Sequence, residues 1–214
     1  MPAVRAVLFD FNGTLSADEP LLYAIYRDLF AASGRPLTEA DYYGRLAGLS
    51  EEAIVGGWLG VGGARLAELV AERIERYRAL AADGETVRPE LRAAVRYAAA
   101  RVPVGVVSGA FRAEIEPVLA GAGLRPLVAH LVAADDVAEG KPHPAGYLRA
   151  LELLGAPRPE EVVAFEDTEA GVAAAKAAGL RCLAVRGTLA PDRLAAADEL
   201  VDGIDEQLLR RLLG

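Results

Sequence analysis

The chain has 214 residues, is 53% apolar and 25% charged, and carries a formal net charge of −8, so it is long enough for one large domain or two small ones and too apolar for a disordered tail. The acidic balance argues against nucleic acid or an anionic membrane surface as partner, since both call for a basic face, yet it leaves room for a small anionic substrate held by local positive charge. Cys182 is the only cysteine, which excludes an internal disulfide and a cysteine zinc cluster.

Residues 4–9 read as a short buried strand, apolar throughout except for Arg5 and closed by Asp10 and an Asn12-Gly13 turn. A carboxylate at the end of a buried strand is costly unless a cation or hydrogen-bond donors meet it. This beginning reads as a strand rather than a signal peptide, and no run of 18 apolar residues marks a membrane span; a cytoplasmic protein is expected.

Asp18-Glu19-Pro20 reads as a helix start, with the acid at the cap and proline in the first turn. Leu21, Leu22, Ile25, Tyr26, Leu29 and Phe30 then recur at helical spacing up to Gly34-Arg35-Pro36. Thr38-Glu39-Ala40-Asp41 fits a capping box, and Ser50-Glu51-Glu52 opens a third helix. Gly60-Val61-Gly62-Gly63 follows a helical segment rather than a strand, so it reads as a helix–helix turn and not as a dinucleotide loop. Leu66, Leu69, Val70, Ile74 and Tyr77 make a fourth helix, ending near Asp83-Gly84. Residues 15–85 thus read as an all-helical insertion.

Strands and helices alternate thereafter. Helices are predicted over 89–100, 113–122, 144–154, 170–178 and 205–213, and strands over 102–107, 130–133, 162–165 and 180–185. Alternation of this kind predicts an α/β fold, a Rossmann-like three-layer core around a parallel sheet, with ligands at the carboxyl ends of the strands. Asp10, Ser108 and Asp167 each fall just past such an end.

Four stretches, in order, resemble the signature motifs of the haloacid dehalogenase superfamily, in its β-phosphoglucomutase-like and phosphoglycolate-phosphatase-like branch. They are Asp10-Phe11-Asn12-Gly13-Thr14-Leu15, Val106-Val107-Ser108-Gly109, Gly140-Lys141-Pro142-His143-Pro144 and Phe165-Glu166-Asp167-Thr168-Glu169-Ala170-Gly171. The resemblance spans nearly the whole chain. It implies a catalytic core of residues 1–14 and 86–214, with residues 15–85 as a helical cap that closes over the substrate. It further implies a monomer acting on a small phosphorylated metabolite by phosphoryl transfer to Asp10 and hydrolysis of the aspartyl phosphate.

By the same resemblance, magnesium (Mg2+) is bound by Asp10, the backbone carbonyl of Asn12 and Asp167. Glu166 and Thr14 support that site, Glu166 through metal-bound water. Ser108 and the Gly109 N–H hold phosphate oxygens. Lys141, one of only two lysines in the chain, offsets the charge of Asp10 and the phosphate, on a loop stiffened by Pro142 and Pro144. The other lysine, Lys176, reads as solvated surface, His143 as loop surface, His130 as a packed strand residue and Trp58 as cap core or hinge. Arg45 lies where caps of this family carry specificity residues and is expected to contact an anion.

One position departs from the pattern. The family's phosphatases carry aspartate where this chain has Asn12, and that aspartate protonates the leaving group and then activates water. An amide can do neither, and loss of a placed acid–base group typically costs about 100- to 10,000-fold in rate. Four explanations compete: a slow or selective phosphatase whose leaving group needs little protonation, a phosphate-binding or regulatory protein with poor turnover, an aspartate replaced to trap a complex, and deamidation at Asn12-Gly13. Residues 15–85 contain no lysine, which disfavours a Schiff-base phosphonatase. The acidic pair Glu166-Asp167 disfavours a metal-free dehalogenase, and loss of the aspartate disfavours a mutase.

Overall fold

Ala6–Phe9 form β1, the strand on which the rest of the sheet is laid down. In the computed structural model, which describes residues 3–214, five further strands run parallel to it: β2 (Val104–Val107), β3 (Val128–Val132), β4 (Val162–Glu166), β5 (Arg181–Val185) and β6 (Glu199–Val201). Their order across the sheet is β3-β2-β1-β4-β5-β6, so the chain starts in the middle and builds outward on each side in turn. Four of the strands answer to the apolar runs read from the sequence. Two corrections apply: β3 begins at Val128 rather than His130, and β6 was not foreseen. Its three residues, Glu199-Leu200-Val201, are too few to show a period.

Alternation along the strands sorts the core into two layers. Val7, Phe9, Val106 and Phe165 pack with helices α5 (Pro89–Ala99), α6 (Arg112–Gly121) and α9 (Glu206–Leu213). Ala6, Leu8, Ala164 and Cys182 pack on the opposite face with α7 (Ala145–Leu153) and α8 (Glu169–Ala177). The Cys182 thiol, fully buried on β5, belongs to this second layer. Among the described residues no helix is long and apolar enough to cross a membrane.

Between β1 and α5 the chain is helical, as expected. It contains α1 (Glu19–Ala32), the short α2 (Glu39–Asp41) running into a π-helical turn at Tyr42–Leu46, a second π-helical turn at Glu52–Gly56 leading into α3 (Gly57–Leu59), and α4 (Gly63–Ala81). Thr38 caps α2, its hydroxyl accepting the Asp41 N–H at 3.1 Å. Gly60, at φ +71°, ends α3, and Gly62 precedes α4, so the glycine-rich stretch is the helix–helix turn predicted. Trp58 stacks on Phe30 at 6.3 Å between ring centres. The two crossings between this segment and the sheet lie side by side: the Ala17 N–H donates to the Thr86 carbonyl at 2.8 Å, and the Ser16 and Thr86 hydroxyls bond at 2.8 Å.

Asp18 departs from its sequence reading. It occupies the N-cap position of α1 and its carbonyl accepts the Leu22 N–H, but its side chain makes no capping bond. The carboxylate turns back toward the Asn12-Gly13 turn.

Candidate active site

Strand register sets the site. Phe9 pairs with Val106 on one side and Phe165 on the other, so Asp10, Ser108 and Asp167 leave the sheet at the same edge. The Asp10 N–H still donates to the Phe165 carbonyl at 2.9 Å, and the Ser108 N–H to the Val132 carbonyl at 2.9 Å, so the sheet's hydrogen bonding extends into the site. Asp10, Glu166 and Asp167 are all buried and bring one carboxylate oxygen each to within 4.8 Å of one another.

Lys141 answers this negative charge. It arrives from the loop before α7, and its ammonium donates to Asp10 Oδ1 at 2.5 Å and to the Val107 carbonyl at 3.0 Å, and pairs with Glu166 Oε1 at 2.6 Å. Burial alone would lower the lysine's pKa; Asp10 and Glu166 outweigh it and hold the ammonium above its usual range. Glu166 shares the strand face of Ala164, so it points toward α7, where the Tyr147 hydroxyl donates to it at 2.5 Å. Burial pushes Glu166 up to about 7, against the pull of Lys141. Burial also raises Asp167, reinforced by the charges of Asp10 and Glu166.

Asp167 is held from two sides. The Thr14 hydroxyl donates to Oδ1 at 3.3 Å and the Thr188 hydroxyl to Oδ2. Two glycines give the acids room. A Cβ on Gly13, already at φ +71°, would sit 1.9 Å from Asp167 Oδ2, and one on Gly171 would sit 1.8 Å from Glu166 Oε2. Thr168, next in the chain, caps α8 by accepting the Gly171 N–H at 3.1 Å, which frees Asp167 from that task.

A cavity of about 430 Å³ opens above these residues. Asp10, Asn12, Ser108, Gly109, Lys141 and His143 line it from the sheet side. From the helical segment come Glu19, Leu22, Tyr26, Tyr42, Leu49, Glu51 and Arg73. The Ser108 hydroxyl accepts the Ala110 N–H at 3.1 Å, and Gly109 is exposed. His143 sits at the exposed rim, with Nε2 3.3 Å from Glu139. Lys176 is far from this chemistry and pairs with Asp198 at 2.7 Å.

The structure does not bring Arg45 to the cavity. Its side chain is 67% exposed, pairs with Asp41 at 3.4 Å and lies over Trp58. The arginine that does line the cavity is Arg73, 2% exposed on α4 and paired with Glu51 and with Glu114 of α6. Nothing in the sequence marked it, because a charge on an amphipathic helix reads as a solvated face.

Two acids that the sequence offered only as a helix start, Asp18 and Glu19, also belong to this region. The Asn12 amide donates to Asp18 Oδ2 at 2.9 Å, the Gly13 N–H donates to Asp18 Oδ1 at 3.2 Å, and the Tyr77 hydroxyl donates to Oδ2 as well. Glu19 follows at once, nearly buried at the cavity wall, where it accepts the Tyr42 hydroxyl at 2.9 Å. Burial, then Asp18 and Asp10, push Glu19 up to about 7. The only sequence signal was an acidic dipeptide where a helix begins, and helix starts carry acids for other reasons.

The motif order and the edge at which the acids converge agree with one family, whose model, described as haloacid dehalogenase-like hydrolase, matches residues 4–179. The chain belongs to the haloacid dehalogenase-like hydrolases. It is 34% identical to the validoxylamine A 7'-phosphate phosphatase of Streptomyces hygroscopicus subsp. limoneus, over 94% of this chain and 95% of that one. It is 33% identical to the CbbY protein of Rhodobacter capsulatus, over 83% of each chain. The crystal structure of CbbY from Rhodobacter sphaeroides in complex with phosphate superposes with a TM-score of 0.83, at 30% identity and 96% coverage of both chains. A mutant of that protein in complex with xylulose-(1,5)bisphosphate gives the same TM-score at 31% identity, over 94% of this chain and 95% of that one. The parallel sheet with flanking helices is thus the haloacid dehalogenase fold, and its carboxyl edge is where this chain gathers its acids.

Proposed function

We propose that the protein is a magnesium-dependent phosphatase of small phosphorylated metabolites, working through an aspartyl phosphate on Asp10. The observation that carries this reading is the buried cluster of Asp10, Glu166 and Asp167 around Lys141 at the floor of the cavity. Three carboxylates against one ammonium leave the cluster short of positive charge, and burial raises all three pKa values. A set of hard oxygen donors in that condition fits a divalent cation such as magnesium. Asp10, the Asn12 carbonyl and Asp167 would hold it, with Glu166 bearing on its waters. Bound there, it supplies Lewis-acid neutralisation of phosphate charge.

The chain's own residues do the rest. Lys141 keeps Asp10 ionised and aimed. Ser108 and the Gly109 N–H are placed to receive phosphate oxygens as the Asp10 carboxylate attacks phosphorus. Tyr147 and Lys141 hold Glu166, and Thr14 and Thr188 hold Asp167, so neither acid has to reorganise during the reaction. Residues 15–85 act as the cap that excludes water, and 1–14 with 86–214 as the catalytic core. The relatives named as phosphatases of validoxylamine A 7'-phosphate and of phosphorylated carbohydrates support a sugar-like substrate.

Asn12 alone favours a second reading, a phosphate-ligand-binding or regulatory protein with little turnover. A panel of phosphate esters, assayed with magnesium and with EDTA, separates the two. The enzyme reading requires magnesium-dependent release of phosphate that Asp10→Ala reduces at least 1,000-fold, on the order of what losing an essential nucleophile costs. Binding of phosphate esters with no turnover on any of them would establish the second reading.

A further inference from the structure

Asn12 removes the group that moves protons in this family, and of the glutamates that line the cavity Glu19 is the buried one. We infer that Glu19 carries the proton in both halves of the reaction: it protonates the leaving oxygen and then takes a proton from the attacking water. This inference rests on the phosphatase reading above.

Position is the first support. Glu19 lines the same cavity as Asp10, Asn12, Ser108 and Lys141, and it does so from the helical segment, at the first residue of α1. A leaving group departs in line from the nucleophile, so a proton donor for it belongs on the wall facing Asp10. Asp18 cannot do this work. It does not line the cavity, and its two oxygens are taken up by the Asn12 amide, the Gly13 N–H and the Tyr77 hydroxyl. Its bond to Asn12 fixes the amide plane, which turns the Asn12 side chain into an orienting group at the cavity wall.

Environment is the second support. The ionisable groups that face Glu19 are Asp18 beside it, Asp10 at the end of β1, Asp167 after β4, and the phenols of Tyr42 and Tyr43 from the first π-helical turn. Carboxylates on that list raise its proton affinity, and the hydrogen bond from Tyr42 opposes them. A carboxyl poised near neutrality can give up and regain a proton at ordinary pH.

The steps balance. An Asp10 oxygen bonds to phosphorus while the bond from phosphorus to the ester oxygen breaks, and that oxygen takes the Glu19 proton and leaves as the alcohol. Water then bonds to phosphorus and gives a proton to the Glu19 carboxylate, while the bond from phosphorus to Asp10 breaks and inorganic phosphate departs. Both carboxyls end as they began.

The test is rapid-mix kinetics of Glu19→Gln with magnesium, on p-nitrophenyl phosphate and on a sugar phosphate that the parent protein hydrolyses. Nitrophenolate needs no proton to leave, but the later attack of water still needs a base. The variant is therefore expected to release about one nitrophenolate per active site in a burst and then to turn over roughly 100- to 10,000-fold more slowly than the parent. On the sugar phosphate it shows no burst and a fall of the same order in kcat, with KM within a few-fold. Steady-state kcat within a few-fold of the parent, or a rise in KM alone, overturns the inference and leaves the phosphatase reading intact. A parent protein with no magnesium-dependent turnover overturns both. Should Glu19→Gln fail to fold by circular dichroism, Tyr42→Phe takes its place: losing that hydrogen bond moves the acidic limb of kcat to higher pH, and an unmoved limb overturns the inference.

Discussion

Asn12 and Asp18 form the contact on which the site's chemistry turns. The amide donates to the carboxylate at 2.9 Å, so restoring aspartate at position 12 sets two carboxylates against each other. One of them must then keep a proton, as in any closely spaced carboxyl pair. A carboxyl whose folded pKa is raised above its unfolded value contributes stability that is present at low pH and lost as pH rises through the folded pKa. Burial already raises Asp18, and Asn12→Asp extends the effect. The single variant is expected to match the parent's stability near pH 3.5, below the unfolded carboxyl pKa, and to fall about 1–3 kcal/mol below it by pH 8. Adding Asp18→Asn restores a donor to the pair, removes that pH dependence and raises turnover of alkyl phosphates above the parent's. Denaturation in urea at both pH values checks the first part; equal stability of single and double variants at pH 8 would sink it.

At the scale of elements, the unusual feature is α4. Arg73 sits in its middle at 2% exposure and joins Glu51, at the entry to the second π-helical turn, to Glu114 in the first turn of α6. That pair crosses from the helical segment to the sheet's own helices. Removing one member of a buried pair strands the other, and Glu114 is only 1% exposed. Arg73→Ala is expected to lower unfolding free energy by about 3–5 kcal/mol, measured by urea titration; a loss below about 1 kcal/mol would show that Glu114 simply takes up a proton.

These elements also show what a sequence can disclose. Asp10, Ser108, Lys141 and Asp167 were legible because each directly follows an apolar run or sits in a short local pattern, and the parallel topology then carries strand ends to one edge. Asp18, Glu19 and Arg73 were not. Their meaning depends on what stands opposite them, and Tyr77, Tyr42 and Glu114 lie 59, 23 and 41 residues away. Local logic assigned Asp18 to a cap that its side chain does not form. The family resemblance placed the anion contact on Arg45, whose side chain is exposed and does not line the cavity.

Across the whole molecule, the two crossings at Ala17 and Thr86 lie side by side, and the cavity is walled by the elements on both sides of them. The helical segment also touches the sheet side directly. Gly48, at φ +83°, stands where a Cβ would lie 2.7 Å from the Thr168 methyl, so the turn after the first π-helical segment rests on the residue next to Asp167. A cavity of about 430 Å³ is of the size that suits a small metabolite.

Cys182 gives this architecture a built-in reporter. Its thiol is fully buried on β5, directly across from Ala164 on β4, and burial pushes its pKa far above that of a free thiol. A thiol reagent can therefore reach it only when the sheet itself opens, so the labelling rate counts openings of the strands that carry Asp10 and Asp167. Magnesium and inorganic phosphate at about 100 times their dissociation constant bind the closed form alone and are expected to slow labelling about 100-fold. A labelling rate indifferent to both would mean that the ligand site and the sheet's stability are uncoupled.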